Sequence, residues 1–161
     1  MKKVIATIFL LTLLMANAPA FTSTAQGICF LPEEMQETCV KVGEEYGICP
    51  ELLMAVIERE SAGDPDAKNG NCKGLMQISE KWHKDRMEKL GITDIYSVDG
   101  NICLGADYLA ELFEKYEDPG VALSVYHGES KGVENAKRGK FSSYVTGILE
   151  RSAELERSNG K

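Results

Sequence analysis

The chain has 161 residues and a formal net charge of −7 at pH 7, and hydrophobic residues make up 43% of it. A chain of this length and composition supports one folded core and is too short for two well-formed ones. Its acidic surface repels nucleic acid and anionic membranes, so composition excludes these polyanions as main partners and fits an uncharged one.

The N-terminus is typical of a secretory signal. Two lysines are followed by a run without charges from residue 4 to 15 and by small residues at Ala18 and Ala20. The run is shorter than the roughly 20 apolar residues of a transmembrane helix, and the small residues suit signal peptidase. We expect cleavage after Ala20, with Ala25 as the alternative and a retained anchor as the other outcome. Cleavage would remove only the two lysines and change the net charge from −7 to −9.

Apolar periodicity and helix-ending residues predict a mainly α-helical single domain with at most a short β-hairpin. The loop that would hold the hairpin is the Gly- and Asp-rich segment from Gly63 to Lys73, and a polar stretch from Gly128 to Lys140 predicts a second loop. The predicted helices run from about Pro32 to Tyr46, from Pro50 through Glu60, from Ser79 to Leu90, from Asp99 or Asn101 to about Tyr116, from Pro119 to His127, and from Ser142 to Arg157.

Five cysteines lie in the exported part of the chain, where disulfides form: Cys29, Cys39, Cys49, Cys72 and Cys103. An odd count leaves one thiol unpaired unless two chains join. Cys39 lies on an apolar stripe and fits a buried free thiol; a bridge from the first helix to Cys103, or from Cys72 to Cys103, is the alternative. No C-x-x-C or H-E-x-x-H pattern favours zinc.

An acidic residue lies on the apolar face of the second predicted helix. Val56 and Ile57 belong to an apolar stripe at helical spacing, and Glu60 continues it, whereas Glu51 and Glu58 are expected on the opposite, solvated face. Burial disfavours a charged carboxylate, so a raised pKa would keep a proton on Glu60 for general acid catalysis near neutral pH. Alternatively, the stripe ends at Ile57 and the Glu60 head group lies in water.

Several short motifs occur in a fixed order. They are Glu60-Ser61, Pro65 and Ala67, Gly74-Leu75-Met76-Gln77-Ile78, Asn101-x-x-x-Gly105-x-x-Tyr108-Leu109, ALSVYHG at residues 122–128, and Tyr144-Val145. Together they resemble the soluble lytic transglycosylases and goose-type lysozymes, which are small lysozyme-like domains that cut peptidoglycan. The resemblance covers a lysozyme-like domain at 38–149. With the signal peptide predicted above at 1–20, we expect a leader with the start of the first helix at 21–37 and a helix end and tail at 150–161.

Within that family the chain resembles the small secreted type that accompanies conjugation and type IV secretion systems. Tyr46-Gly47 before Pro50 and Asn69 in place of Ser suggest this subgroup. His127 departs from the family's usual Asn, Gly128-Glu129 departs from Ala-Gly, and the usual Pro after GLMQ is missing. The resemblance implies peptidoglycan glycan strands as substrate, an envelope-spanning assembly as a further partner, a periplasmic or cell-wall location, and neither cofactor nor metal.

The family's chemistry implies that Glu60 protonates the glycosidic oxygen between N-acetylmuramic acid and N-acetylglucosamine. Glu60 then removes the proton of the C6 hydroxyl, and a 1,6-anhydro ring closes. One carboxyl group suffices where the N-acetyl group assists. A hydrolytic muramidase needs a second carboxylate, for which Asp64 and Asp66 are candidates, although turn chemistry explains them better. A non-catalytic wall-binding module is the remaining alternative.

The resemblance also implies the residues that bind the glycan: Ser61, Asn69, Met76, Gln77, Asn101, Tyr126 and Tyr144. We expect Met76 and Gln77 to line the sugar cleft, although a plain core position is the usual role of such a Met. Tyr126 is expected to donate a hydrogen bond to Glu60 and orient it. His127 is better explained as a cleft or surface residue than as a general base.

Overall fold

A computed structural model describes residues 29–161, so the predicted signal segment lies outside the described part. The described chain folds into helices α1 Glu33–Tyr46, α2 Pro50–Ser61, α3 Glu80–Leu90, α4 Val98–Tyr116, α5 Pro119–Tyr126, α6 Gly132–Ala136 and α7 Ser143–Ser158, with strands β1 Lys68–Asn69, β2 Cys72–Lys73 and β3 Ile78–Ser79. The predicted mainly helical, single-domain fold is confirmed. Over these residues, no helix combines the length and apolar character that crossing a membrane requires.

Local signals set most of the helix ends. Gly47 adopts φ 65° and ends α1, since a left-handed residue breaks the helical hydrogen-bond pattern and favours glycine. Before α5, the Asp118 carboxylate accepts hydrogen bonds from the amides of Gly120 and Val121. Ser79 directly precedes α3 as predicted, but its hydroxyl makes no capping bond. The five-residue α6 falls in a stretch that we predicted to be a loop.

The three strands form one small antiparallel sheet in the order β1-β2-β3. Asn69 pairs with Cys72 in the predicted hairpin, and Cys72 also pairs with Ser79. The third strand arises because the chain returns alongside β2 after the GLMQ segment. Since side chains alternate along a strand, each strand presents one residue to either face of the sheet.

Helix α2 is the centre of the hydrophobic core. Leu53, Val56 and Ile57 are fully buried, and α1 and α7 pack against α2 from different sides, while α4 packs against α1 and α5. The prediction that Glu51 and Glu58 lie on a solvated face of α2 is therefore wrong. A single apolar stripe predicts one covered face, but α7 covers a second face of this helix.

Both of these buried carboxylates have partners. Glu51 is 1% exposed and accepts hydrogen bonds from Asn159 Nδ2 at 2.8 Å and from Lys161 Nζ at 2.8 and 3.0 Å. Glu58 forms a two-pronged ion pair with Arg151, with N–O distances of 2.6 and 3.0 Å. The partners come from α7 and the residues after it, so these contacts anchor residues 151–161 to α2.

All five cysteines are unpaired in the structure. Cys39 is fully buried, which confirms the interpretation as a buried free thiol, and burial raises the pKa of this thiol to about 12. The two bridges to Cys103 considered from the sequence are not formed.

Candidate active site

A cleft of about 440 Å³ runs along the C-terminal end of α2. Residues of the small sheet, α3, α4 and the end of α5 line it together with the end of α2. The residues that line it are Glu60, Asn69, Cys72, Gln77, Ile78, Ser79, Trp82, His83, Tyr108, Val125, Tyr126, His127 and Gly128.

Glu60 lies in the last turn of α2, which ends at Ser61 and is followed by Ala62 with φ 54°. The Glu60 side chain is half-buried, as predicted, and its carboxylate accepts a hydrogen bond from the hydroxyl of Tyr144. Burial raises the pKa of Glu60, although the Tyr144 hydrogen bond and the nearby side chains of His127 and Arg59 act in the opposite direction. The raised pKa favours a protonated carboxyl group poised for proton donation.

Tyr144, in the first turn of α7, holds Glu60 in place. Its side chain is buried, and its ring stacks on His127 with ring centres 3.7 Å apart and the planes inclined by 15°. Burial and the neighbouring Glu60 carboxylate raise the pKa of the Tyr144 phenol. The phenol therefore keeps its proton and remains a donor to Glu60.

Tyr126 does not orient Glu60, and that expectation is wrong. Its hydroxyl donates instead to the backbone carbonyl of Met76 at 2.7 Å, while its ring forms part of the cleft wall. Tyr126 ends α5 and faces the loop after β2, whereas the donor to Glu60 comes from α7. Tyr126 lies nearer to Glu60 along the chain than Tyr144 does, yet Tyr144 is the one that reaches the Glu60 carboxylate.

Met76 and Asn101 were expected to contact substrate, and the structure corrects both. The Met76 side chain is fully buried and packs so closely on Gly105 of α4 that a Cβ there would overlap its sulfur. Asn101 is fully buried as well; its Oδ1 accepts from the Met76 amide at 2.8 Å, and its Nδ2 donates to the carbonyls of Lys73 at 3.1 Å and Ile95 at 2.7 Å. Asn101 and the buried Met76 side chain therefore fix the GLMQ segment, residues 74–77, on its side away from the cleft.

Gln77 lies in the cleft wall, as expected. Its backbone has φ 49°, an unusual conformation for a residue other than glycine. Its Nε2 donates to the carbonyls of Ala67 at 3.1 Å and Gly74 at 2.9 Å. With the amide nitrogen held in this way, the Gln77 side-chain oxygen is an acceptor for a substrate N–H or O–H. Asn69, exposed on β1, lines the same cleft.

Ser61 and the two aspartates lie away from the lining of the cleft. The Ser61 hydroxyl donates to the Ile57 carbonyl at 3.3 Å and accepts from the Gly63 amide at 3.2 Å, so it closes the end of α2. Asp64 accepts from the Asp66 amide at 2.9 Å, which is ordinary turn chemistry. Among the described residues that line the cleft, Glu60 alone carries a carboxyl group.

Three aromatic side chains of the cleft were not among the predicted binding residues. Trp82 is 77% exposed, and His83 packs on Tyr108 with ring centres 4.4 Å apart. Tyr108 lies in turn 5.5 Å from the Tyr126 ring, which makes a continuous aromatic wall. The sequence feature that could have predicted Trp82 as a cleft residue is a single tryptophan on an otherwise polar helix. Within residues 29–161, no group of three His, Cys, Asp or Glu side chains is placed to hold a metal ion.

Comparison with known proteins identifies a matching family and several relatives. The model of the transglycosylase SLT domain matches residues 37–144. A transglycosylase of Enterobacteria phage PRD1 is 36% identical over 115 residues, which cover 70% of this chain and 41% of the phage protein. Protein IpgF of Shigella flexneri is 32% identical over 95 residues, covering 55% of this chain and 61% of IpgF.

Other relatives are longer proteins. The membrane-bound lytic murein transglycosylase F of Desulfosudis oleivorans is 36% identical over 87 residues, which are 52% of this chain but 18% of that protein. The chain thus spans less than two thirds of each of these three relatives.

A similar fold occurs in the crystal structure of an inactive mutant of lytic transglycosylase Slt from Pseudomonas aeruginosa. The TM-score is 0.63 at 21% identity, over 79% of this chain and 24% of that one. Since the family model matches well over half of the 161 residues, the chain belongs to the transglycosylase SLT domain family.

Proposed function

We propose that the chain is an exported peptidoglycan lytic transglycosylase. It cuts the β-1,4 bond between N-acetylmuramic acid and N-acetylglucosamine, with Glu60 as acid and then base. The observation that carries the proposal is the single half-buried carboxyl group of the described cleft, whose pKa is raised by burial. The named activity of two relatives, transglycosylase and lytic murein transglycosylase, supports the same chemistry.

In the acid step, Glu60 transfers its proton to the glycosidic oxygen as the bond from that oxygen to C1 of the muramyl sugar breaks. The N-acetyl oxygen of the same sugar supplies the electron pair that stabilises C1. Tyr144 is the positioning residue, because its hydroxyl fixes one carboxylate oxygen and leaves the other free to face the cleft. The departing sugar leaves with the Glu60 proton.

In the base step, the Glu60 carboxylate removes the proton of the C6 hydroxyl of the muramyl sugar, and that oxygen attacks C1. The 1,6-anhydro ring closes, Glu60 is protonated again, and no water is consumed. Hydrolysis on the same fold would require a second group to activate water, and the aspartates considered for that role take part in a turn away from the cleft.

The test is digestion of purified peptidoglycan with residues 21–161, with the Glu60→Gln variant, and with Glu114→Gln as an exposed control on α4. We expect the wild type and the control to release muropeptides lighter by one water than reducing muropeptides, with no release by Glu60→Gln. Mass spectrometry distinguishes the products. Reducing ends would indicate a hydrolase. If all three proteins bind insoluble peptidoglycan and release nothing, the chain is a wall-binding module.

Export and the wider assembly are separate parts of the proposal. Cleavage of the signal predicts that the exported protein begins at Phe21, or at Gln26 for the alternative site; N-terminal sequencing decides between them and a retained anchor. The resemblance to the small conjugation-associated type supports a role in opening the wall for an envelope-spanning assembly. Deleting the gene should then impair that assembly's transport, and unchanged transport would contradict the role.

A further inference from the structure

The small sheet separates the catalytic cleft from a second groove. Asn69 on β1 and Cys72 on β2 line the cleft, whereas their strand neighbours Lys68 and Lys73 line the other groove. The alternation of side chains along these two strands explains the division, because one residue of each pair faces either side of the sheet. Both residues of β3 line the cleft, and Glu80, the first residue of α3, lines the other groove.

We call the second cavity the lysine groove and define it by Lys68, Lys73, Lys81 and Lys84. Its volume is about 620 Å³, larger than that of the cleft. The only carboxylates among its described lining residues are Glu80 and Glu88.

Two of the four lysines are neutralised locally. Lys73 pairs with Glu80, and Lys84 lies 3.8 Å from Glu88. Within residues 29–161, Lys68 and Lys81 have no carboxylate at ion-pair distance. The groove therefore carries about two uncompensated positive charges on a chain whose net charge is −7. A local charge opposite to that of the whole surface attracts anionic groups that the rest of the molecule repels.

Helix α3 joins the lysine groove to the cleft. Trp82 lines the cleft, and the Lys81 ammonium lies 5.2 Å from the centre of the Trp82 ring, at the boundary between the two cavities. An anionic branch of a polymer bound in the cleft would enter the lysine groove across this boundary.

We propose that the lysine groove binds the carboxylates of the peptide stems that branch from the muramyl sugars. This inference rests on the proposed function, since the glycan strand must lie in the cleft for its stems to reach the groove. A four-residue peptide extends to at most about 14 Å, which suits a branch that bends around a sheet of two-residue strands. Lysine ammonium groups hold carboxylates as mobile point charges, so the groove tolerates variation in stem sequence while it requires negative charge.

The first experiment measures binding without cleavage. A free tetrapeptide stem, prepared from muropeptides by amidase treatment, is titrated into isotopically labelled residues 21–161, with the same peptide blocked as methyl esters as control. We expect the acidic peptide to shift the amide resonances of Lys68 and Lys81, the shifts to weaken with added salt, and the blocked peptide to have no effect. Absence of shifts at these lysines would overturn the proposal, whether or not the protein cleaves peptidoglycan.

The second experiment measures cleavage of glycan strands with and without stems. Lys68→Gln combined with Lys81→Gln is compared with Lys137→Gln combined with Lys140→Gln, a matched loss of two exposed charges elsewhere. We expect the groove variant to raise KM about fivefold on stem-bearing strands, which is the effect of losing two exposed ion pairs. Its kcat on these strands, and its KM and kcat on naked strands, should equal those of the wild type. An equal rise in KM on naked strands would overturn the proposal. If the wild type cleaves neither strand, the proposed function fails, and the peptide titration still decides on the groove.

Discussion

Replacing Asn101 with alanine should destabilise the fold strongly, because its side chain joins three backbone groups at the rear of the cleft. The Asn101 amide makes hydrogen bonds of 2.8, 3.1 and 2.7 Å to Met76, Lys73 and Ile95, and the residue is fully buried. Three such bonds contribute about 3 kcal/mol in net terms, and the void left by the amide adds roughly 1 kcal/mol. We therefore expect a loss of about 3–5 kcal/mol in the free energy of unfolding.

Urea unfolding followed by circular dichroism measures this loss. Asn69→Ala is the matched control, since Asn69 is exposed on β1 and its replacement should change stability by less than about 0.5 kcal/mol. Asn101→Asp adds a second check. At neutral pH it directs a carboxylate oxygen at two carbonyls, and in acid its protonated oxygen becomes a donor, so part of the stability should return.

A loss below about 1 kcal/mol for Asn101→Ala would refute this reasoning, because buried backbone groups left without partners cost more than that. A normal stability together with a raised KM would instead support the direct substrate contact expected from the sequence. The two measurements therefore separate a positioning role from a binding role.

Cleavage should decline as pH rises through the raised pKa of Glu60, because the carboxylate has no proton to donate; a pH–rate profile without an alkaline limb would contradict this. Tyr144→Phe removes a hydrogen bond that favours the carboxylate, so kcat should fall roughly tenfold and the alkaline limb should move to higher pH; an unmoved limb would argue against Tyr144 as the orienting residue. Glu51 has its own acid dependence: burial raises its pKa, but hydrogen bonds led by that from the Cys49 thiol prevail and lower it from 4.5 to about 2. Up to about 3 kcal/mol of stability is therefore present above pH 4.5 and lost as pH falls toward 2, and unfolding curves of Glu51→Gln should lack this dependence. Gly105→Ala should lower the free energy of unfolding by about 1–3 kcal/mol, because the added Cβ overlaps the Met76 side chain. A thermal melt equal to that of the wild type would show that the GLMQ segment shifts to make room.

Much of the fold follows from local signals in the sequence. Gly47 ends α1 and Pro50 begins α2, while Asp118 and Pro119 start α5, and each of these acts through the backbone within a few residues. The half-burial of Glu60 also follows from its position on the apolar stripe of α2. These features could be predicted because helix capping and periodicity depend on residues that are neighbours along the chain.

The partners of those residues came from elsewhere in the chain. The donor to Glu60 is Tyr144, 84 residues away, and Glu51 is held by Lys161, 110 residues away. Neither pair leaves a periodic trace in the sequence, because each depends on how α7 lies across α2.

The sequence by itself thus determined the family, the position of the acid and, within residues 29–161, every helix except α6. Only the tertiary structure decided that Tyr144 rather than Tyr126 holds that acid, and that Asn101 and Met76 support the cleft from behind. The physical reason is that burial and hydrogen bonding between distant segments are set by the packing of whole helices, whereas a sequence pattern records which face of each helix is apolar.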